Sequence, residues 1–138
     1  MLTRIDHLGI AVTDLDEALA LYGGAFALVT HHREVLEDQG VEAVALQLGE
    51  SVIELLRPIR DDSPVARFLA ERGPGIHHVA YLVDDIEAAL AALREAGVRL
   101  IDETPRTGLG GTKIAFVHPK STFGVLSELV QRPALIPE

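Results

Sequence analysis

The chain has 138 residues, 48% of them apolar and 24% charged, with a formal net charge of −9 and no cysteine. That length suits one domain with its own core, and the composition is that of a globular protein. The charge argues against non-specific nucleic-acid binding, which needs a basic surface, and the lack of cysteine excludes disulfides, thiolate metal sites and cysteine nucleophiles.

The N-terminal stretch "MLTRIDHLGIAV" has no apolar core behind a basic segment, and no apolar run approaches the length of a membrane span. The expectation is a cytoplasmic protein with neither membrane nor nucleic acid as partner. Residues 4–12 read as a strand rich in β-formers. Thr13 or Asp14 can cap a following helix, on which Leu15, Ala18, Leu19, Tyr22 and Phe26 recur at helical spacing and which Gly23-Gly24 ends. Strands are expected near 26–35, 41–48 and 51–57. Ser63-Pro64 then opens a short helix that Gly73-Pro74 stops. A strand over 76–83 follows, then a helix capped by Asp84 with Glu87 in the reciprocal place and ended by Gly97, then strands near 98–102, 112–118 and 124–131. Only the tail "PALIPE" reads as disordered.

The second half repeats the first. At an offset of 71, His7 falls on His78, Val12 on Val83, Asp14 on Asp85, and Ala18-Leu19-Ala20 on Ala89-Leu90-Ala91. Further on, "VIELLRP" resembles "LSELVQRP", with Glu54 falling on Glu128 at an offset of 74. A period near seventy is too long for a solenoid and points to a pseudo-two-fold pair of half-domains. The fold expected is α+β: two β-α-β-β-β modules, residues 4–62 and 74–133, joined by a helix over 63–73, forming a curved mixed sheet around a cleft in one domain, 1–138.

Strand alternation places Ile5, His7, Gly9 and Ala11 on one face, and Leu8, Ile10 and Val12 on the face that packs under the helix. In the second copy His78, Ala80 and Leu82 share a face, while His77 points away and reads as supporting or packing. Gly9, Ala11 and Ala80 leave room beside the repeated histidines. A strand carboxylate flanked by aliphatics, as Glu54 and Glu128 are, is costly unless paired or bound to a cation. Two imidazoles and two carboxylates at matching places in two copies suit a divalent ion such as Zn, Co, Ni, Mn or Fe. His31-His32 has no repeat partner and belongs to an exposed strand. His118 belongs to a turn.

Paired β-α-β-β-β units with these residues on their first and last strands resemble the vicinal oxygen chelate superfamily. Within it, "IDHLGIAVTDLDEAL", "IELLRP", "DDSPVARFLAERGPGIHHVAYLVDDIEAAL" and "GTKIAFVHPKSTFGVLSELVQ" resemble the methylmalonyl-CoA epimerase family over residues 4–131. The resemblance implies His7, Glu54, His78 and Glu128 as ligands of a divalent ion (Co, Mn, Ni or Zn), a CoA-thioester substrate and a homodimer. It implies epimerisation of (R)- and (S)-methylmalonyl-CoA by proton transfer at the α-carbon through a metal-stabilised enolate. One departure stands out. Members often carry a second catalytic glutamate three residues after the glycine of "QGV", and here that place holds Ala43. Glu42 is one residue short, which turns it to the opposite face of a strand unless a bulge corrects it. Glu128 is then the expected base, with Glu42, a water or Glu54 as partner, and Glu50 at a hairpin end a weaker candidate. For the CoA phosphates, the amides of "RTGLGGTK" can form an anion nest or a plain hairpin, and Lys120, Arg57 and Arg60 are further candidates.

Other activities remain open. A glyoxalase I-type isomerase or lyase would use the same ligands, though the "DSPVARFLAERGPGIHH" segment speaks against it. A ring-cleaving dioxygenase would use two histidines and one glutamate, and Glu54 as a fourth ligand disfavours that. A metal-free resistance protein that sequesters a small molecule would need no ligand set at all.

Overall fold

The computed structural model describes residues 1–134; of the expected disordered tail, residues 135–138 lie outside the described residues. The elements run β1 (Leu2–Ala11), α1 (Leu15–Leu19), β2 (Val29–Leu36), β3 (Val41–Leu48), β4 (Ser51–Pro58), α2 (Pro64–Arg72), β5 (Gly75–Val83), α3 (Ile86–Glu95), β6 (Arg106–Thr107), β7 (Lys113–Val117) and β8 (Ser127–Gln131). Both β-α-β-β-β modules of the expected α+β fold are present. No helix among the described residues is long and apolar enough to cross a membrane.

The chain forms two compact units, residues 7–78 and residues 1–6 with 79–134. In the first, the strands order β2-β3-β4-β1. β1 lies parallel to β4, and the β2, β3 and β4 contacts are antiparallel. The helix side is packed by Leu15, Val44, Leu46 and Leu55, with Ile10, Val12 and Ile53 against them. Those residues occupy alternate strand positions, so the opposite face is left to His7, Gly9 and Glu54. In the second unit the order is β5-β8-β7-β6, with β5 parallel to β8. Ile86, Ala89 and Leu90 of α3 cover one face of this sheet together with Ala115, Val117 and Leu129. Asp6, 1% exposed, accepts two hydrogen bonds from the Arg132 guanidinium at 2.8 and 3.0 Å within this unit.

Three expectations need correction. The first helix neither stays an α-helix nor ends at Gly23-Gly24: after Leu19 it widens to a π-turn over Ala20–Ala25, where Phe26 N donates to Leu21 O across five residues. Glycines at 23 and 24 hold an α-helix poorly, which permits the wider turn. The cap of α3 is Asp85, whose carboxylate accepts from Ala88 N at 3.1 Å, so Asp84 lies outside the helix. Residues 98–102 form no strand, only a bridge from Leu100 to Val117. There the Asp102 carboxylate takes the Phe116 N–H at 2.8 Å, so a side chain replaces the ladder acceptor. The strand paired to β7 at this edge is the two-residue β6.

Candidate metal centre

β1, β4 and β5 each bring one donor to a common point in the first unit. A nitrogen from each of His7 and His78 and an oxygen of Glu54 all lie within 4.8 Å of one another. His7 Nε2 is 3.1 Å from His78 Nε2 and 3.2 Å from Glu54 Oε2. His7 and His78 are 5% and 3% exposed, and the Glu54 side chain 12%. The register explains the meeting: Glu54 stands directly beside Gly9 on the neighbouring strand, one pleat from His7. A Cβ on Gly9 would lie 2.1 Å from His78 Cε1. The room expected beside His7 is thus filled by the His78 ring itself.

These donors fit a divalent ion. Ligands about 2.0–2.2 Å from a metal at angles near 90–109° sit roughly 3.0–3.5 Å apart, as His7 does from both His78 and Glu54. Two imidazole nitrogens and a carboxylate oxygen are donors of the kind a divalent ion takes. His78 is held well below the ordinary histidine range by burial, then by the neighbouring His7 and His77. A neutral ring keeps its Nε2 lone pair available for a metal. Its Nδ1 lies 2.9 Å from His77 Nδ1, so with the proton on His78 Nδ1, His77 accepts it and orients the ring. His77 packs edge-on to Phe68 of α2, and burial pushes it down to about 4. The supporting role expected of His77 is therefore the one it occupies.

The other expected residues fall elsewhere. Glu128 belongs to the second unit, 4% exposed in β8 opposite Ala80 and Phe116. β3 keeps an unbroken register against β4, so no bulge turns Glu42. It lies on the helix face, bound at 2.9 Å to Arg33 and 3.0 Å to Arg57, whose hydrogen bonds hold its carboxyl below the usual range. Glu50 is in an exposed turn. In "RTGLGGTK", Gly108 N donates to Thr112 O and Gly111 N to Gly108 O, so these two amides serve the hairpin. Arg60 holds the β2–β3 turn through Glu37 O and Asp38 O and pairs with Asp62. His118 accepts from Lys120 N at 3.0 Å in its turn, as expected. The buried Asp6 was missed, though an acid beside the repeated histidine of β1 in "RIDHLG" is a visible signal.

A fold of paired β-α-β-β-β modules with histidine and carboxylate donors on the strands defines a class. The model of the glyoxalase/bleomycin resistance protein/dioxygenase superfamily matches residues 6–116, and the chain belongs to that superfamily. Within it the chain falls in the methylmalonyl-CoA epimerase family. It is 40% identical to the ethylmalonyl-CoA/methylmalonyl-CoA epimerase of Cereibacter sphaeroides, over 95% of this chain and 99% of that one. It is 38% identical to human mitochondrial methylmalonyl-CoA epimerase, over 94% of this chain and 74% of the human one. A solved methylmalonyl-CoA epimerase in complex with methylmalonyl-CoA and NH4+ superposes with a TM-score of 0.94 at 43% identity, covering 97% of each chain.

Proposed function

We propose that the chain is an isomerase that epimerises (R)- and (S)-methylmalonyl-CoA by proton transfer at the α-carbon. The observation that carries this reading is the convergence of His7, Glu54 and His78 in a chain so close to enzymes of that name. Glu128 is the fourth ligand of the proposed set; its support is the sequence repeat that matches it to Glu54 and its burial in β8. His7, Glu54, His78 and Glu128 would hold a divalent ion, which when bound would supply Lewis-acid stabilisation of the negative charge that builds on the thioester oxygen, worth several kcal/mol.

The chain's own groups do the rest. Glu128 takes the α-proton, and the C–H electron pair passes into the enolate. A positioned carboxylate of this kind contributes about 10²–10⁴-fold. A CoA thioester is met inside the cell, which supports a cytoplasmic enzyme. Exposed apolar side chains at Leu2, Ile5 and Ile76 support a homodimer, which light scattering of the purified protein tests.

The test is α-proton exchange in deuterated buffer, run with Co, Mn, Ni and Zn in turn. The metal-loaded protein washes deuterium into both stereoisomers of methylmalonyl-CoA, and Glu128→Ala loses this with the stereoisomer whose α-proton Glu128 takes. Exchange no faster than a protein-free control ends the epimerase reading. Exchange that survives with both stereoisomers in Glu128→Ala, with the metal still bound, removes Glu128 as the base. Glu42→Gln serves as the control and keeps the wild-type rate, because Glu42 is turned to the helix face.

A further inference from the structure

Inversion at carbon asks for two proton-transfer groups, one for each face of the enolate. The position at which the family often carries the second is Ala43. The sheet register shows what stands across from that methyl group. Glu34 of β2 pairs with Ala43, and His32 of β2 pairs with Ala45. Ala45 pairs in turn with Glu54, and Glu54 with Gly9, which lies under the His78 ring. Paired residues in neighbouring strands project to the same face. One row across the sheet therefore reads His32, Ala45, Glu54, Gly9, and the next reads Glu34, Ala43, Leu56, Ala11.

His32 Nε2 is 2.9 Å from Glu34 Oε1, with the side chains 45% and 37% exposed. His32 stands two strand spacings from Glu54, about 9.5 Å between backbones, with only the Ala45 methyl in the row between them. The register of β2 shifts between Thr30 and His32, immediately beyond this pair. Such bulges are common beside active sites. Exposed pairs on an edge strand are usually solvated ornaments. This one is set apart by its face, which is the face of the donors, and by the two small side chains, Ala43 and Ala45, that stand next to it in the rows leading to them.

Resting on the epimerase reading, we propose that His32, oriented by Glu34, is the second proton-transfer residue of this enzyme, in the place of a carboxylate at position 43. Glu34 accepts the Nε2–H, which leaves Nδ1 to face the substrate. In one direction neutral Nδ1 takes the α-proton and the C–H electron pair enters the enolate. In the other, the Nδ1–H of the imidazolium bonds to the α-carbon with the enolate electron pair, and the neutral ring regains its proton from water. His32 is the catalytic residue of the pair and Glu34 a positioning residue.

The experiment separates exchange from inversion. Each stereoisomer of methylmalonyl-CoA is incubated with metal-loaded protein in deuterated water, and wash-in and configuration are followed separately. His32→Gln keeps wash-in with one stereoisomer and loses it with the other, while inversion falls about 100-fold or more. Glu34→Gln lowers kcat for inversion and leaves KM unchanged. Introducing Ala43→Glu into the His32→Gln protein restores inversion. In the zinc-loaded wild type, the His32 ring resonances move when methylmalonyl-CoA is added. Inversion at the wild-type rate in His32→Gln, loss of wash-in with both stereoisomers, or His32 resonances that do not move each overturn the proposal while the epimerase reading stands. A wild-type protein that neither exchanges nor inverts overturns both.

Discussion

Gly9 does more at the metal centre than its lack of a side chain suggests. It sits between His7 and Ala11 on the donor face of β1, directly beside Glu54, and the ring of His78 occupies the space a Cβ would take. At 2.1 Å from His78 Cε1, an added methyl cannot be absorbed by a small adjustment. The ring must leave its place, and with it the Nε2 that stands 3.1 Å from His7 Nε2. Gly9→Ala is therefore expected to fold with a distorted site and to bind a divalent ion at least about 10-fold more weakly, the scale on which disturbed ligand orientation acts. Titration with Co or Zn, followed by calorimetry, checks this. Affinity equal to the wild type would mean that the ring has room the register denies it. The same exchange at Gly24, where an added Cβ meets nothing within 4 Å, serves as the contrast.

At the scale of elements, α2 carries a prediction about stability that is independent of the metal. Ser63 is fully buried and its hydroxyl accepts from Ala66 N at 3.0 Å, with Pro64 at the first helical position. Ser63→Ala removes that acceptor and leaves the half-buried Ala66 amide without it. The cost is about 1–2 kcal/mol, read as a lower urea midpoint with an unchanged slope. A midpoint within error of the wild type would show that another group takes over the amide. This cap was legible in the sequence because serine before proline is a local signal. So were the strands, whose alternation persists, and the donors His7, Glu54 and His78, which the repeat marked. What escaped was set by non-local partners. The π-turn after Leu19 depends on where Phe26 closes its bond, and the lost strand at 98–102 on a carboxylate reaching Phe116. The row from His32 to Glu54 depends on three strands in register, which no spacing along one strand reveals.

For the molecule as a whole, the donors tie together strands far apart in sequence, so metal and protons should both act on folding. His77 is half-buried beside the buried His78, and its partial burial holds it at about 4 against an ordinary 6.5. In the metal-free protein the unfolded chain takes up a proton at this residue as pH falls through 6.5, whereas the folded chain does so only near 4. The stabilising contribution of neutral His77 is thus complete above about 6.5 and is lost as pH falls toward 4, at a cost of about 3 kcal/mol. His78, shifted the same way, adds to the loss. Glu42 behaves differently. Its carboxyl is lowered from 4.5 by Arg33 and Arg57, so its contribution holds above that value and fades only below it. The interval between pH 6.5 and 4.5 therefore isolates the histidines. Urea midpoints of metal-free protein should fall across it, and His77→Phe, which keeps an aromatic ring against Phe68, should flatten the fall. Saturating metal opposes the loss at the upper end, by about 2.7 kcal/mol when free metal is 100 times its Kd, and this protection should fade as protons compete for the same imidazoles. A metal-free midpoint that stays level from pH 7.5 to 4.5 would mean that the paired histidines are charged in the folded state, which their burial at the foot of β5 opposes.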